Sequence, residues 1–169
     1  MPTAKITFIL AAAVLLSSAS TAPVPAASAS SASPSAAASA VPLVQISDVR
    51  DGGCLTVMSG DDRDRLPVAI DDCTPDMPDD KWRRPNTKVT TYRSKFNDAC
   101  LTARGHYVEP ATAPCNGSTA QKWIRRPAPG GVRLESFRHR GGCIGRISGG
   151  QGVDGDVNLV PCAGASVWR

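Results

Sequence analysis

The chain is poor in the residues that most enzyme and metal sites need. Its 169 residues include two His, and neither a C-x-x-C pair nor a G-x-S-x-G motif occurs. Few His and no closely paired Cys argue against a zinc site. No nucleophile motif stands near His106 or His139. The sequence therefore predicts a protein that is not an enzyme and carries no cofactor or metal ion.

Long hydrophobic runs are also scarce. The run ITFILAAAVLL at 6–16 follows Lys5 and precedes a Ser/Ala/Pro tract. It is too short to cross a bilayer as a helix, whereas this order of features is typical of a secretory signal. We therefore predict a secreted protein with no membrane span. Its predicted parts are a signal peptide at 1–29 (cut between 29 and 40), a spacer at 30–40 and a folded domain at 41–169.

Cysteine, by contrast, is well represented for a small domain. The chain has six Cys, and an even number in a short exported chain indicates a disulfide framework. Counting alone leaves fifteen pairings open for six Cys. The pairing must therefore come from another pattern in the sequence.

That pattern is a threefold repeat. Cys is followed by Leu or Ile at 54, 100 and 143, and a Trp follows the second Cys of each copy in CTPDMPDDKW, CNGSTAQKW and CAGASVW. The first-Cys spacings of 46 and 43 give a period a little over forty residues. Three repeats result, at about 41–85, 86–127 and 128–169.

A unit of this size holds about four short strands and cannot bury its apolar face alone. Propellers need at least four blades, so three units favour a closed arrangement about a pseudo-threefold axis. The sequence predicts an all-β β-trefoil of three ~43-residue repeats with one disulfide in each. The predicted bridges are Cys54–Cys73, Cys100–Cys115 and Cys143–Cys162.

With the repeats placed, residues 41–169 resemble the ricin B-type β-trefoil lectins. The resemblance rests on the C-[LI] openings, the V-x-[IL]-x-x-C strands at 68–73 and 157–162, and the Q-x-W motif at 121–123. It implies structural roles for Gln121 and Trp123, and for the Trp of the degenerate motifs, Trp82 and Trp168.

The same resemblance implies that the usual galactose site is lost in all three repeats. Family members that bind place an Asp two residues after the first Cys, where this chain has Thr56, Thr102 and Gly145. The positions that carry the family's aromatic residue and Asn are also changed. At the position four residues before the second Cys, only repeat three has a polar side chain, Asn158. Two lost contacts of about 1.5–3 kcal/mol each would abolish millimolar sugar binding.

Other residues could support binding at a displaced site. Tyr107, beside His106 in the variable loop of repeat two, could replace the lost aromatic platform. WRRP at 82–85 and WIRRP at 123–127 bring paired Arg, so Arg125 and Arg126 are candidates for contacts to an anionic polysaccharide. The candidate sugar-binding residues are Asn158, Tyr107, Arg125 and Arg126.

Charge is unevenly distributed. Residues 48–80 hold ten Asp against three Arg, and residues 81–169 hold fifteen Lys and Arg against five acids. The acidic loop SGDDRDR at 59–65 could ligate Ca²⁺, but its interleaved Arg favour a solvated loop. An exported chain without a recognised motif is a poor candidate for nucleic acid.

Two functions remain open. The first is a secreted, non-catalytic, lectin-like module that binds a glycan or an anionic polysaccharide. The second is a protein-binding trefoil, such as a non-catalytic toxin subunit or an inhibitor. A basic glycan site should weaken with salt, whereas a protein partner should show no competition from sugars.

Overall fold

The computed structural model describes residues 40–62, 65–147 and 155–169. The predicted signal peptide and residues 30–39 of the predicted spacer lie outside the described residues, as do Arg63 and Asp64 of the acidic loop. The domain boundaries therefore stay a prediction. No helix among the described residues is long and apolar enough to cross a membrane.

The described chain is built from short strands. They are β1 (Leu43–Val44), β2 (Cys54–Val57), β3 (Val68–Asp71), β4 (Trp82–Arg83), β5 (Val89–Thr90), β6 (Arg93–Ser94), β7 (Cys100–Thr102), β8 (Ala111–Ala113), β9 (Trp123–Ala128), β10 (Gly131–Ser136), β11 (Gly142–Arg146) and β12 (Gly155–Pro161). There are two 3₁₀ turns: Thr119–Gln121 follows the second Cys of repeat two, and Cys162–Gly164 begins at the second Cys of repeat three.

The strands form two antiparallel sheets. One has the order β1-β4-β6-β7-β8 and the other β2-β3-β12-β11-β10-β9-β5. Pairing crosses between repeats: β3 of repeat one pairs with β12 of repeat three, and β4 of repeat one pairs with β6 of repeat two. The sheets are therefore shared among the repeats, as a β-trefoil requires.

Each repeat contributes one equivalent hairpin. The pairs β2–β3, β7–β8 and β11–β12 each begin at or beside the first Cys of their copy. The three predicted disulfides are confirmed: Cys54–Cys73, Cys100–Cys115 and Cys143–Cys162. In the loop-entropy account a bridge closing a loop of this size stabilises the fold by about 3 kcal/mol.

The Trp side chains occupy equivalent places in the core. Trp82, Trp123 and Trp168 are at most 1 % exposed. Their indole N–H groups donate to the carbonyls of the residues after each first Cys, Leu55, Leu101 and Ile144, at 2.8, 2.9 and 3.2 Å. Because a buried indole N–H needs a partner, each Trp fixes the hairpin of its own repeat.

One end of the barrel is lined by a second set of equivalents. Ile46, Tyr92 and Leu134 each precede the residue that pairs with the first Cys of their repeat, and all three are buried. At this end the first and last segments of the domain also pair. The N–H of Ser47 donates to the carbonyl of Arg169 at 3.1 Å, and Arg169 returns the bond at 2.9 Å.

Candidate functional site

The positions that carry the sugar-binding Asp in the ricin B-type pattern lie on the first strands of the three hairpins. Thr56 is buried, and its hydroxyl donates to the carbonyl of Cys54 at 3.0 Å. Thr102 donates likewise to Cys100 at 2.8 Å and accepts a hydrogen bond from Gln121. Both hydroxyls therefore serve the fold, and neither repeat presents a carboxylate here.

Repeat three is closed at this position. A Cβ added at Gly145 would meet Cγ2 of Val160 at 2.6 Å and Cα of Ala165 at 3.0 Å. Asn158, which pairs with Gly145 across the hairpin, donates its side-chain amide to the carbonyl of Tyr107 at 3.3 Å. The hairpin of repeat three therefore has no room for a larger side chain at the position that carries the Asp.

Repeat two is open. A cavity of about 310 Å³ lies against β7 and β8. Small side chains, Ala111 and Ala113, stand where a ring or a longer polar side chain would fill the space. The residues that line it are Arg65, Thr102, Arg104, Ala111, Thr112 and Ala113.

The hydroxyl of Thr112 is already used by the scaffold. It accepts hydrogen bonds from the N–H of Leu66 at 3.0 Å and from the amide of Asn97 at 2.9 Å, and Thr112 is 1 % exposed. Since the hydroxyl of Thr102 is also engaged, the side chains left to contact a ligand with polar atoms are Arg65 and Arg104.

Both guanidinium groups are exposed, and within the described ranges neither forms an ion pair. Arg104 interacts electrostatically with Glu109. Burial and the charge of Asp156 raise the pKa of Glu109, while Arg104 opposes that rise. Among the described residues, the cavity is thus lined by two cations and no acid, and it suits an anionic group.

Gln121, a predicted structural residue, holds the end of the hairpin of repeat two. Gln121 is 1 % exposed; its amide donates to the carbonyl of Pro114 at 2.9 Å, and its oxygen accepts from the N–H of Asn116 at 2.9 Å. In repeat one Asp80 takes the corresponding position and accepts from the N–H of Thr74 at 2.8 Å. A carboxylate therefore replaces the amide without losing the loop contact.

In repeat three the motif residue is Ser166, and its partners differ. Its hydroxyl donates to a carboxylate oxygen of Asp48 at 2.9 Å and accepts from the N–H of Arg146 at 3.2 Å. The contact ties repeat three to repeat one. The degenerate motif thus still holds a loop, through a side chain from another repeat.

The four predicted sugar-binding residues do not form one site. Tyr107 and Asn158 are in contact through a hydrogen bond. The Tyr107 side chain is exposed, and its backbone has a positive φ of 57°. Arg125 lines a cavity at the barrel end, and Arg126 forms an ion pair with the buried Glu135. Adjacent residues of a strand point to opposite faces, so Arg125 and Arg126 cannot act as a pair.

Several Arg of the basic part of the chain, residues 81–169, form ion pairs. Arg83 and Arg93 share Asp98. Arg126 and Arg140 share Glu135, and Arg146 pairs with Asp51 at 2.8 Å. The positive charge of this part of the chain is therefore partly neutralised by local ion pairs.

No group of three or more potential metal ligands occurs among residues 40–62, 65–147 and 155–169. His106 and His139 approach each other with ring centroids 5.6 Å apart. Burial first, then the charges of Arg138 and His106, lowers the pKa of His139. His106 is the sequence neighbour of the exposed Tyr107.

Sequence reasoning missed Arg104 and gave Arg65 no role in binding. Arg104 lies beyond the end of β7 at Thr102, so the strand pattern does not indicate where its side chain points. The approach of Arg65 depends on how its loop packs on repeat two, which no local pattern shows.

No protein-family model and no curated protein matches the chain. Solved structures do. The designed threefold protein ThreeFoil matches with a TM-score of 0.66 at 15 % identity, covering 75 % of this chain and 96 % of that one. The Haemophilus ducreyi cytolethal distending toxin matches with a TM-score of 0.61 at 18 % identity, over 75 % of this chain and 81 % of that one.

A lectin is also among the similar structures. The Polyporus squamosus lectin, bound to the epitope Neu5Aca2-6Galb1-4GlcNAc, matches with a TM-score of 0.58 at 16 % identity. The match covers 75 % of this chain but 47 % of that one. Identities this low establish the fold alone. In fold, the chain is a β-trefoil.

Proposed function

We propose that the protein is a secreted, non-catalytic, lectin-like module that binds an acidic sugar in the cavity of repeat two. The observation that carries the proposal is a cavity whose described lining holds two guanidinium groups without an ion pair, Arg65 and Arg104, and no carboxylate. Secretion rests on the predicted signal peptide and is supported by three disulfides.

The chemistry of the cavity favours an acid over a neutral sugar. Without a carboxylate, nothing accepts two hydrogen bonds from neighbouring hydroxyls, and without an aromatic ring nothing stacks on the sugar. Guanidinium groups bind carboxylates and sulfates through paired, charge-assisted hydrogen bonds. Each such bond contributes about 1.5–3 kcal/mol, enough for weak, millimolar to micromolar recognition.

A structural neighbour offers support. The epitope in the Polyporus squamosus lectin structure begins with Neu5Ac, a sugar that carries a carboxylate. A protein that contains this fold therefore binds a glycan that ends in an acid.

The test is a glycan array with neutral and acidic members, followed by calorimetry at low and moderate salt. We expect binding to acidic glycans that weakens as salt rises. The variants Arg65→Gln and Arg104→Gln should each weaken it at least tenfold. Arg138→Gln is the matched control, since Arg138 is exposed and lies outside the cavity. Binding to neutral galactosides that ignores salt would contradict the proposal.

A protein-binding trefoil, as a toxin subunit or inhibitor, is the second candidate. Its supporting observation is the loop tip of repeat two, where Tyr107 is 68 % exposed beside the exposed Val108. Tyr is enriched at the centres of protein interfaces. This function would be favoured if no glycan on the array binds and if a protein partner binds Tyr107→Ala at least tenfold more weakly than the parent protein.

A further inference from the structure

A second cavity, of about 230 Å³, lies at the barrel end on the pseudo-threefold axis. Ile46, Tyr92 and Leu134, the equivalents from the three repeats, form part of its wall. Trp168 contributes as well, so the wall is largely apolar. No residue of this cavity lines the cavity of repeat two.

Two Arg side chains line this cavity from equivalent places. Arg84 lies two residues after Trp82, and Arg125 lies two residues after Trp123. Arg125 shares a face of β9 with Trp123 because the two are two residues apart on the strand. Arg84 directly follows β4 and is half-buried like Arg125. The threefold repeat thus brings two guanidinium groups to one opening.

Neither group has a counter-ion. Their sequence neighbours Arg83 and Arg126 pair with Asp98 and Glu135. In contrast, no ion pair of Arg84 or Arg125 occurs among residues 40–62, 65–147 and 155–169. The lining includes Arg169 as a third cation and contains no Asp or Glu.

One donor is left without a partner. Nη1 of the half-buried Arg84 is shielded from solvent and has no hydrogen-bond partner. A buried donor without an acceptor costs about 1–3 kcal/mol, and more when it is charged. Such a cost is recovered when an acceptor enters the site.

Tyr92 stands close to both cations. Burial raises the pKa of Tyr92 to about 12, and the charges of Arg84 and Arg125 act against that rise. Both guanidinium groups therefore lie near enough to influence the phenol oxygen. Because the phenol stays protonated at neutral pH, its hydroxyl is a third donor.

We propose that the barrel-end cavity is an oxyanion site, in which Arg84, Arg125 and the Tyr92 hydroxyl donate to a sulfate or phosphate group. Tetrahedral oxyanions offer several acceptor oxygens, which match converging donors better than a chloride ion does. The apolar wall excludes water and strengthens each charge-assisted bond. The group can come from a free ion or from the sulfated or phosphorylated end of a larger ligand.

The experiment follows the arginine side-chain Nε–Hε signals of the full folded domain by NMR during titration with sodium sulfate. Sodium phosphate is titrated in parallel, and chloride keeps the ionic strength constant. We expect saturable shifts confined to the signals of Arg84 and Arg125, and these need no variant. Shifts that rise without saturation, or that spread evenly over all Arg signals, would overturn the proposal.

Variants then test the donors by calorimetry. Arg84→Gln and Arg125→Gln should each weaken sulfate binding at least tenfold, and Tyr92→Phe should weaken it about three- to tenfold. Arg138→Gln removes the same charge from an exposed site elsewhere and should change it less than twofold. Equal weakening in all variants would reveal non-specific charge attraction and refute the site.

Two further arms separate the sources and the sites. If galactose 6-sulfate binds more tightly than inorganic sulfate, the ligand is the sulfated end of a glycan. If it binds equally or more weakly, the ligand is the free ion. Under either outcome, binding must depend on the donors of Arg84 and Arg125. Arg104→Gln should leave sulfate binding here unchanged. The oxyanion site and the acidic-sugar site of repeat two can therefore fail independently.

Discussion

Gln121 offers the sharpest test of how the Q-x-W motif stabilises the trefoil. Substitution by Ala removes the donor to the Pro114 carbonyl and the acceptor of the Asn116 N–H, both at 2.9 Å. It also removes the weaker contact to the Thr102 hydroxyl at 3.3 Å. The residues on either side of Cys115 would then lose their hydrogen bonds to the 3₁₀ turn.

The expected cost follows from these contacts. Two well-formed hydrogen bonds contribute about 1 kcal/mol each, and stranded partners add to the loss where water cannot reach them. Removing the buried aliphatic part of Gln121 leaves a small cavity. We therefore expect Gln121→Ala to lower the free energy of unfolding by about 2–4 kcal/mol. For a domain of this size that is a fall in Tm of roughly 6–14 °C.

Calorimetric and urea unfolding of the oxidised domain at neutral pH would measure the effect. Thr119→Ala is the matched control because Thr119 belongs to the same 3₁₀ turn but is exposed. A loss in Gln121→Ala no larger than in Thr119→Ala would refute the reasoning. It would mean that the loop is held by its disulfide and that the amide is dispensable.

Three other perturbations follow from the fold. Replacing Cys100 and Cys115 by Ser should cost about 3 kcal/mol in urea unfolding, because the unfolded chain regains the entropy of that loop. Gly131→Ala should cost about 1–3 kcal/mol or more, since its Cβ would fall 2.2 Å from the Trp168 carbonyl oxygen, which is backbone and cannot rotate away; unchanged Tm would contradict this. Burial alone would raise the pKa of Glu135, but hydrogen bonds and neighbouring cations lower it overall. The ionised Glu135 carboxylate therefore stabilises the fold above its ordinary pKa of 4.5, and this stabilisation is lost as pH falls through the lower pKa of the folded state. On acidification, the Tm of Glu135→Gln should therefore fall less steeply than that of the parent protein, as thermal unfolding across this pH range would show.

Much of the fold is written in short-range pattern. Cys54, Cys100 and Cys143 are each followed by Leu or Ile, and a Trp recurs in each repeat. A threefold period limits both the architecture and the disulfide pairing, since equivalent bridges must repeat. These features were predictable because each depends on spacing along the chain.

The site was not predictable in the same way. The sequence groups Arg125 with Arg126, yet strand alternation and the register of β9 with β10 send one to the barrel end and the other to Glu135. Arg65 reaches the hairpin of the next repeat, a contact between residues far apart in sequence. Which Arg stay unpaired depends on where each acid lies in three dimensions.

The bonds between Ser47 and Arg169 place the two ends of the domain side by side at the barrel opening. A peptide tag fused after Arg169 would therefore emerge beside the opening formed by Arg84 and Arg125, where an acidic tag could occupy it. The same adjacency makes the domain a candidate for circular permutation, with a short linker joining the old ends.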